Sequence, residues 1–141
     1  MKEVINIEYL NEDLYGCTLI DGRVWNVVGA LPGEKVVAKI VKKNKKFILA
    51  VTENVLSASS LRIKPKCQHF LTCAGCTMQH VSVEQQLEFK KQLLNDALTE
   101  IKAETEITTC SADPWNYRRR ARISVKFDQK KHEVAFGFRE F

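Results

Sequence analysis

Three cysteines lie close together near the middle of the chain, with the spacing C-x5-C-x2-C. They are Cys67, Cys73 and Cys76, and Gly75 lies inside the tighter pair. A C-x2-C loop directs two sulfurs at one centre, and a cysteine six positions earlier can wrap round as a third ligand. Thiolates are the ligands that both iron–sulfur clusters and structural zinc select. The spacing therefore predicts a metal site rather than inert thiols or a disulfide, but it does not distinguish iron from zinc.

Two other side chains are candidates for a fourth ligand. His80 extends the pattern to C-x5-C-x2-C-x3-H, which would make a complete Cys3His zinc site. Cys110 is the second candidate, but it lies 34 positions after Cys76 on a predicted strand. We expect Cys110, like Cys17, to be buried and inert.

The composition is that of a soluble globular chain with room for one medium domain or two small ones. It has 141 residues, of which 45% are hydrophobic, and an odd number of cysteines, five. Neither a signal peptide nor an apolar run of about 18 residues is evident. We therefore expect a reducing compartment, the cytoplasm, with free thiols, no membrane partner and a monomeric chain.

Positive charge is concentrated in two parts of the chain. The formal net charge is +5, and residues 1–66 carry 11 basic against 7 acidic side chains. Residues 118–131 hold seven basic side chains and one acidic side chain, Asp128. Such a balance indicates a polyanionic partner, most often a nucleic acid.

Residues 1–58 predict a small all-β unit. Short apolar runs alternate with turn signals, of which Asp21-Gly22 is typical of a type I′ hairpin. We expect a closed barrel of SH3-like or OB-like kind. Its last hairpin has a lysine tip around Asn44, formed by Lys42, Lys43, Lys45 and Lys46. The lysine tip either protects a sheet edge from aggregation or contacts phosphates.

Residues 59–66 read as a linker, and residues 67–141 as a small α+β domain. Ser82 and Gln85 have capping-box spacing at the start of a helix predicted over Ser82 to Ile101. An apolar stripe along this helix predicts that one face packs in a core. The stripe contains Val83, Leu87, Leu94, Ala97, Leu98 and Ile101, widened by Phe89 and Leu93. The fold class is thus mainly β with one long helix.

Strands are predicted over Thr105 to Thr109, Arg118 to Phe127 and His132 to Phe138. The period of two would place Arg118, Arg120 and Arg122 on one face of the second of these strands. A row of arginines repels itself unless something anionic lies across it. We therefore favour an RNA-facing surface over a bare solvated face.

Several of these pieces, in this order, resemble the RNA (uracil-5-)-methyltransferase family. Gly29-Ala-Leu-Pro-Gly-Glu34 looks like a turn of the family's TRAM domain, an OB-like RNA-binding barrel. The cysteine loop with Gln79-His80, followed by Gln86-Leu87 and Lys90, resembles its cluster-binding loop and helix. Trp115-x-Tyr117-Arg118 and Gly137-Phe-Arg-Glu140 are similar to strands of its central domain.

The resemblance implies an activity, a partner and cofactors. Members transfer methyl groups from S-adenosylmethionine to C5 of uridine in ribosomal or transfer RNA, and ribosomal RNA is the partner we expect here. Cys67, Cys73 and Cys76 would be three of the four ligands of a [4Fe–4S] cluster, with the fourth cysteine beyond Phe141. The catalytic residues and S-adenosylmethionine site would belong to a Rossmann-like C-terminal domain absent from this chain, so no catalytic residue is assigned here. The alternative is a stand-alone TRAM-type RNA-binding module with the Cys3His zinc site.

Overall fold

The structure, a computed structural model, describes residues 1–103 and 105–141. It is mainly β with one long helix, as the sequence predicts. The strands and the helix follow one another in the order β1 (Lys2–Asn6), β2 (Tyr9–Leu10), β3 (Gly16–Ile20), β4 (Arg23–Val28), β5 (Lys35–Lys43), β6 (Phe47–Ser57), α1 (Val83–Glu100), β7 (Ser124–Asp128) and β8 (Glu133–Gly137).

The first six strands form one mixed sheet with the spatial order β1-β5-β6-β4-β3-β2. All neighbouring pairs are antiparallel except β4 and β6, which run parallel with Val24 beside Phe47. The predicted antiparallel pairing of β5 with β6 is confirmed. In this order β1 and β2 lie at the two ends of the sheet, so the closed OB-like barrel stays a prediction.

The turns of this sheet follow the local sequence. Asp21 and Gly22 both adopt positive φ, 50° and 71°, as the two central residues of a type I′ turn require. Gly33 has φ 80°, and the Glu34 N–H donates to the Leu31 carbonyl at 3.1 Å. Glycine adopts such φ values without steric cost and aspartate tolerates them, so these positions fix where the chain reverses.

Side chains on one face of the sheet form the principal hydrophobic core. Alternate residues of several strands are buried there, since side chains on a strand point to opposite faces in turn. The core consists of Ile5, Ile7, Trp25, Val27, Ala30, Val36, Ala38, Ile48 and Ala50.

Helix α1 begins where the sequence predicts, but its apolar stripe is not buried. The Ser82 hydroxyl accepts a hydrogen bond from the Gln85 N–H at 3.2 Å, which caps the helix. Among the described residues beyond Val81, however, none is buried. Phe89 alone of the stripe packs against a small cluster of Leu31, Met78 and Val81. The expectation that the stripe forms a core face is therefore wrong here, because no second layer of the described chain covers it.

The C-terminal part differs most from the prediction. Residues 105–109 are not a strand, and the strand predicted over Arg118 to Phe127 begins only at Ser124. A strand needs a partner for its backbone hydrogen bonds, and β8 pairs only with residues from Ser124 to Asp128. Arg118, Arg120 and Arg122 are thus outside the strand, and the predicted alternation does not apply to them. Cys110, expected on a strand and buried, is exposed and irregular.

Within the described residues, no helix is long and apolar enough to cross a bilayer.

Candidate functional site

The cysteine loop connects the linker to helix α1 through a series of tight turns. The Cys73 N–H donates to the His69 carbonyl at 2.8 Å, and the Phe70 N–H donates to the Cys67 carbonyl at 3.2 Å. The Gln79 side-chain oxygen accepts from the Cys67 N–H at 3.1 Å, which joins the two ends of the loop. The loop is therefore organised by its own backbone and by two amide side chains, because the Gln86 amide also donates to the Met78 carbonyl at 3.0 Å.

The three thiols have the chemistry of metal ligands but are not gathered into a metal site. All three are free; Cys67 and Cys73 are half-buried and Cys76 is exposed. The Gly75 N–H donates to the Cys73 sulfur at 3.3 Å. Across the described chain, however, no group of three or more histidine, cysteine or carboxylate side chains is placed to hold a metal ion. Three cysteine thiols are suitable donors for an iron–sulfur cluster. Their sulfurs would have to move closer together to bind one.

The end of the chain lies against this loop. Cys73 and Glu140 form an antiparallel bridge, and the Ala74 N–H donates to the Arg139 carbonyl at 2.9 Å. A Cβ added at Gly75 would lie 3.2 Å from the Cys73 sulfur and 3.8 Å from the Phe138 ring. The loop and the segment after β8 therefore pack as neighbours.

The cysteine loop also packs closely on the sheet. Leu71 lies over Gly29, and a Cβ at Gly29 would overlap the Leu71 side chain. Gly29 has φ 75°, and Leu71 itself has φ 71°, a conformation that non-glycine residues seldom adopt. The close approach of Leu71 requires a residue without a side chain at position 29.

A buried ion pair joins the sheet to the segment between β6 and the cysteine loop. Glu34 is 1% exposed, and both its oxygens lie 2.6 Å from the Arg62 guanidinium. The Leu31 and Ser59 N–H groups donate to the same carboxylate at 2.8 Å and 3.1 Å. Arg62 also donates to the Gly29 carbonyl at 2.7 Å. Burial by itself raises the pKa of Glu34, but the hydrogen bonds from Arg62, Ser59 and Leu31 outweigh it and hold the pKa below its usual value.

His80 is enclosed beside this ion pair. It is fully buried, and its ring centroid lies 5.3 Å from that of Phe70. Neither ring nitrogen has a hydrogen-bond partner among the described residues. Burial, reinforced by the positive charge of Arg62 and opposed by Glu34, lowers the pKa of His80 to about 4. A neutral, enclosed imidazole is a packing element here, and the structure does not bring it into a metal-holding group with the cysteines.

The two basic surfaces predicted from the sequence are both exposed. In the lysine tip, the Asn44 side chain accepts from the N–H groups of Lys46 and Phe47 at 2.9 Å and 2.8 Å and shapes the turn. None of the four lysines of the tip forms an ion pair within the described chain. Arg118, Arg120 and Arg122 are also exposed, and the Arg118 guanidinium lies 5.6 Å from the centre of the Tyr117 ring.

Sequence reasoning missed the Glu34–Arg62 pair and the seating of Leu71 on Gly29. The sequence places Glu34 in a turn and Arg62 in the predicted linker, 28 positions apart. One signal could have indicated a buried carboxylate: Glu34 comes immediately after Pro32-Gly33 and directly before an apolar strand. The separation along the chain concealed its partner.

Almost the whole chain is similar to RNA uracil-C5 methyltransferases, so the resemblance predicted from the sequence is confirmed. The 23S rRNA (uracil(1939)-C(5))-methyltransferase RlmD of Legionella pneumophila is 36% identical over 142 residues, covering 99% of this chain and 32% of the relative. The protein of the same name from Bordetella avium is 39% identical over 143 residues, covering 99% of this chain and 30% of the relative. The chain thus spans about a third of the length of the curated relatives it matches.

Among solved structures, the tRNA (uracil-54, C5)-methyltransferase of Pyrococcus abyssi in complex with S-adenosyl-L-homocysteine is 29% identical. The match has a TM-score of 0.46 and covers 74% of this chain and 22% of that one. No family model matches the chain.

Proposed function

We propose that the chain is the RNA-binding and iron–sulfur portion of an S-adenosylmethionine-dependent RNA uracil-C5 methyltransferase. The observation that carries the proposal is the similarity of 99% of the chain to curated proteins named for methylating 23S ribosomal RNA. In this proposal residues 1–58 are a TRAM-type RNA-binding barrel, residues 59–66 a linker, and residues 67–141 part of a central domain. A further domain would supply methyl transfer, and ribosomal RNA is the partner.

Two exposed basic surfaces support RNA binding. The lysine tip projects from the end of the β5–β6 hairpin, and its lysines have no acidic partner among the described residues. Arg118, Arg120 and Arg122 add a second group of exposed cations, and Arg118 lies beside the Tyr117 ring. Arginine beside an aromatic ring is a combination that suits phosphates and unstacked bases.

The first experiment measures RNA affinity against salt concentration for two charge-reversal variants. The RNA is a fragment of 23S ribosomal RNA around uridine 1939, the position in the relatives' name. Lys43→Glu/Lys45→Glu and Arg118→Glu/Arg120→Glu should each weaken binding several-fold and reduce the salt slope by about 1 to 2. Lys35→Glu/Lys102→Glu, with the same charge change at exposed positions at the start of β5 and after α1, is the control. Equal salt slopes in all three variants and the parent would reject both surfaces.

The cysteine loop is proposed to hold a [4Fe–4S] cluster through Cys67, Cys73 and Cys76. Support comes from the free thiols, the Gly75 N–H donated to Cys73, and the segment around Glu140 that lies beside the loop. In a longer protein, residues after Phe141 would emerge beside Cys73, where a fourth cysteine could complete the ligand set. When bound, the cluster would tie the loop to this segment.

The second experiment determines iron, acid-labile sulfide and zinc in protein purified without oxygen. Iron and sulfide of about four each per chain would support the cluster. Cys76→Ser should lose both, whereas Cys110→Ser, at an exposed thiol outside the loop, should keep them. One zinc without sulfide would instead support the Cys3His module, which the burial of His80 and the comparisons do not favour.

A further inference from the structure

Two exposed aromatic side chains near the arginine-rich segment have cations against their rings. The Lys66 ammonium lies 4.6 Å from the centre of the Trp115 ring, and the Arg118 guanidinium lies 5.6 Å from the centre of the Tyr117 ring. Trp115 is 38% exposed and Tyr117 is 64% exposed. These four residues form the aromatic–cation surface. The contact between Lys66 and Trp115 brings together two segments that are distant in the sequence.

A tight turn presents both rings to solvent. The Asp113 carboxylate accepts a hydrogen bond from the Trp115 N–H at 2.9 Å. Asn116 has φ 58°, a left-handed conformation that asparagine tolerates better than most residues. Trp115 and Tyr117 lie on either side of Asn116, and neither belongs to a hydrophobic cluster of the described chain. The backbone of the turn therefore positions these rings, and no core holds them.

The charge around the rings decides what can cover them. Residues 115–122 contain four arginines, all exposed, and no acidic side chain. Neither Lys66 nor Arg118 forms an ion pair within the part of the chain that the structure describes. An apolar protein surface laid over the rings would bury these cations without partners, which is strongly unfavourable. The occupant must therefore be anionic and must also offer flat groups to the rings.

The ribbon of β7 and β8 contains exposed aromatic rings of a different kind. Val125 lies opposite Phe136, and Phe127 lies opposite Val134. Residues directly opposite each other share a face, so these four side chains form one apolar surface. Among the described residues, no lysine or arginine lies over either phenylalanine ring. The cations, and not exposure alone, distinguish the aromatic–cation surface.

We infer that the aromatic–cation surface binds single-stranded RNA, with one unpaired base stacked on each ring. The inference rests on the proposed function and extends it from charge to base stacking at named residues. Every base has a flat face, so stacking on tryptophan or tyrosine stabilises the complex with little dependence on sequence. Lys66 and Arg118 already lie at the rings and would bind the phosphates joined to the stacked bases. Because Lys66 immediately precedes Cys67, the RNA would lie beside the cysteine loop.

Tryptophan fluorescence tests the stacking, because the chain has two tryptophans and only one lies on this surface. Trp25 is 7% exposed in the core of the sheet, whereas Trp115 is 38% exposed. The probe is a single-stranded RNA of about ten uridines, titrated into the 141-residue protein. Its binding should quench a large part of the emission. An abasic ribose-phosphate chain of the same length has the same phosphates without bases, and it should quench little.

Substitutions separate loss of the fluorescent ring from loss of stacking. Trp115→Phe should abolish the quenching but keep the affinity for RNA within about threefold, since phenylalanine also stacks on bases. Trp115→Ala and Tyr117→Ala should each weaken binding about tenfold, whereas Tyr117→Phe should not. Phe136→Ala, which removes a ring 75% exposed on β8, is the matched control and should leave the affinity unchanged. Affinity is measured by fluorescence anisotropy of labelled RNA, and all the variants should melt at the temperature of the parent.

The outcomes separate the aromatic–cation surface from the proposed function. If neither the uridine RNA nor the 23S ribosomal RNA fragment binds, both are overturned. If the fragment binds but Trp115→Ala binds RNA as the parent does, the surface is overturned while RNA binding stands. Equal quenching by the abasic chain would overturn base stacking, because phosphates alone would then be bound. Equal quenching by polyglutamate would overturn RNA as the occupant in favour of an acidic protein.

Discussion

The N-terminal sheet and the C-terminal ribbon of β7 and β8 have similar alternating sequences but very different surroundings. In the sheet, Val27 and Ala50 are completely buried, and the alternate apolar residues form one core. In the ribbon, Val125 and Phe136 are 68% and 75% exposed. Alternation therefore identifies a strand, but burial depends on whether a second surface covers it.

The difference extends to how each region is held. The sheet has six strands, a core and the Glu34–Arg62 pair, whereas the ribbon has two strands and backbone contacts with the cysteine loop. A two-stranded ribbon is marginally stable by itself. We therefore expect the free energy of unfolding to depend on residues of the sheet and its junction with the loop, and hardly at all on the ribbon.

The largest expected effect comes from Arg62→Ala. It would leave the buried Glu34 carboxylate unpaired and should lower the free energy of unfolding by about 3–5 kcal/mol. Urea unfolding followed by the fluorescence of Trp25, which is 7% exposed, measures this. Arg139→Ala, on the exposed segment after β8, is the control and should change stability by about 0.5 kcal/mol or less. Equal losses in the two variants would remove the contrast between the regions.

The second effect is a pH dependence that originates from His80. Its pKa is about 4 in the folded protein and about 6.5 when unfolded, so the unfolded chain binds the proton first as pH falls. The free energy of unfolding should therefore keep the full contribution of His80 above about pH 6.5. It should fall by about 3 kcal/mol as the pH is lowered to 4. His80→Leu should flatten this part of the profile. His132→Ala, in the exposed turn of the ribbon, should leave it unchanged.

A third test replaces the same residue type in both regions. Val27→Ala, at a fully buried position of β4, should cost about 2–3 kcal/mol because it leaves a cavity in a packed core. Val134→Ala, at a position 59% exposed on β8, should cost about 0.5 kcal/mol or less. A large loss for Val134→Ala in the isolated chain would mean that something covers the ribbon in solution, and its dependence on protein concentration would identify self-association.

The smallest effect tests the junction between the sheet and the loop. Gly29→Ala and Gly33→Ala both introduce a side chain at positive φ, which costs about 1 kcal/mol. Only at Gly29 does the added Cβ overlap Leu71, so Gly29→Ala should cost about 1–2 kcal/mol more than Gly33→Ala. Adding Leu71→Ala should abolish most of that excess. Equal costs at the two glycines would show that the loop does not press on the sheet.

Local features of the fold were predictable because a few adjacent residues decide them. Asp21-Gly22 turns the β3–β4 hairpin since both residues tolerate positive φ, and Ser82 begins α1 since its hydroxyl caps the Gln85 N–H. The exposed lysine tip follows from four lysines around a turn-forming Asn44.

Features that depend on distant parts of the chain were not predictable in the same way. The strand expected from Arg118 begins at Ser124, because the extent of a strand is set by its partner. The stripe of α1 has a helical period, but the described chain brings only the Leu31, Met78 and Val81 cluster against it, through Phe89. The candidate cysteines were identified by spacing, whereas their incomplete convergence is a matter of three-dimensional placement.

The sequence by itself determined the turns, the helix start and the types of ligand in the cysteine loop, since each depends on residues within a few positions of one another. Only the tertiary structure decided that Glu34 meets Arg62, that β4 lies parallel to β6, and that Leu71 closes over Gly29. These contacts join residues more than 20 positions apart, and side-chain type alone does not specify which of many compatible partners will be near. The energy of burying a charge or a side chain depends on that partner, so the cost of removing one of these residues follows only from the three-dimensional arrangement.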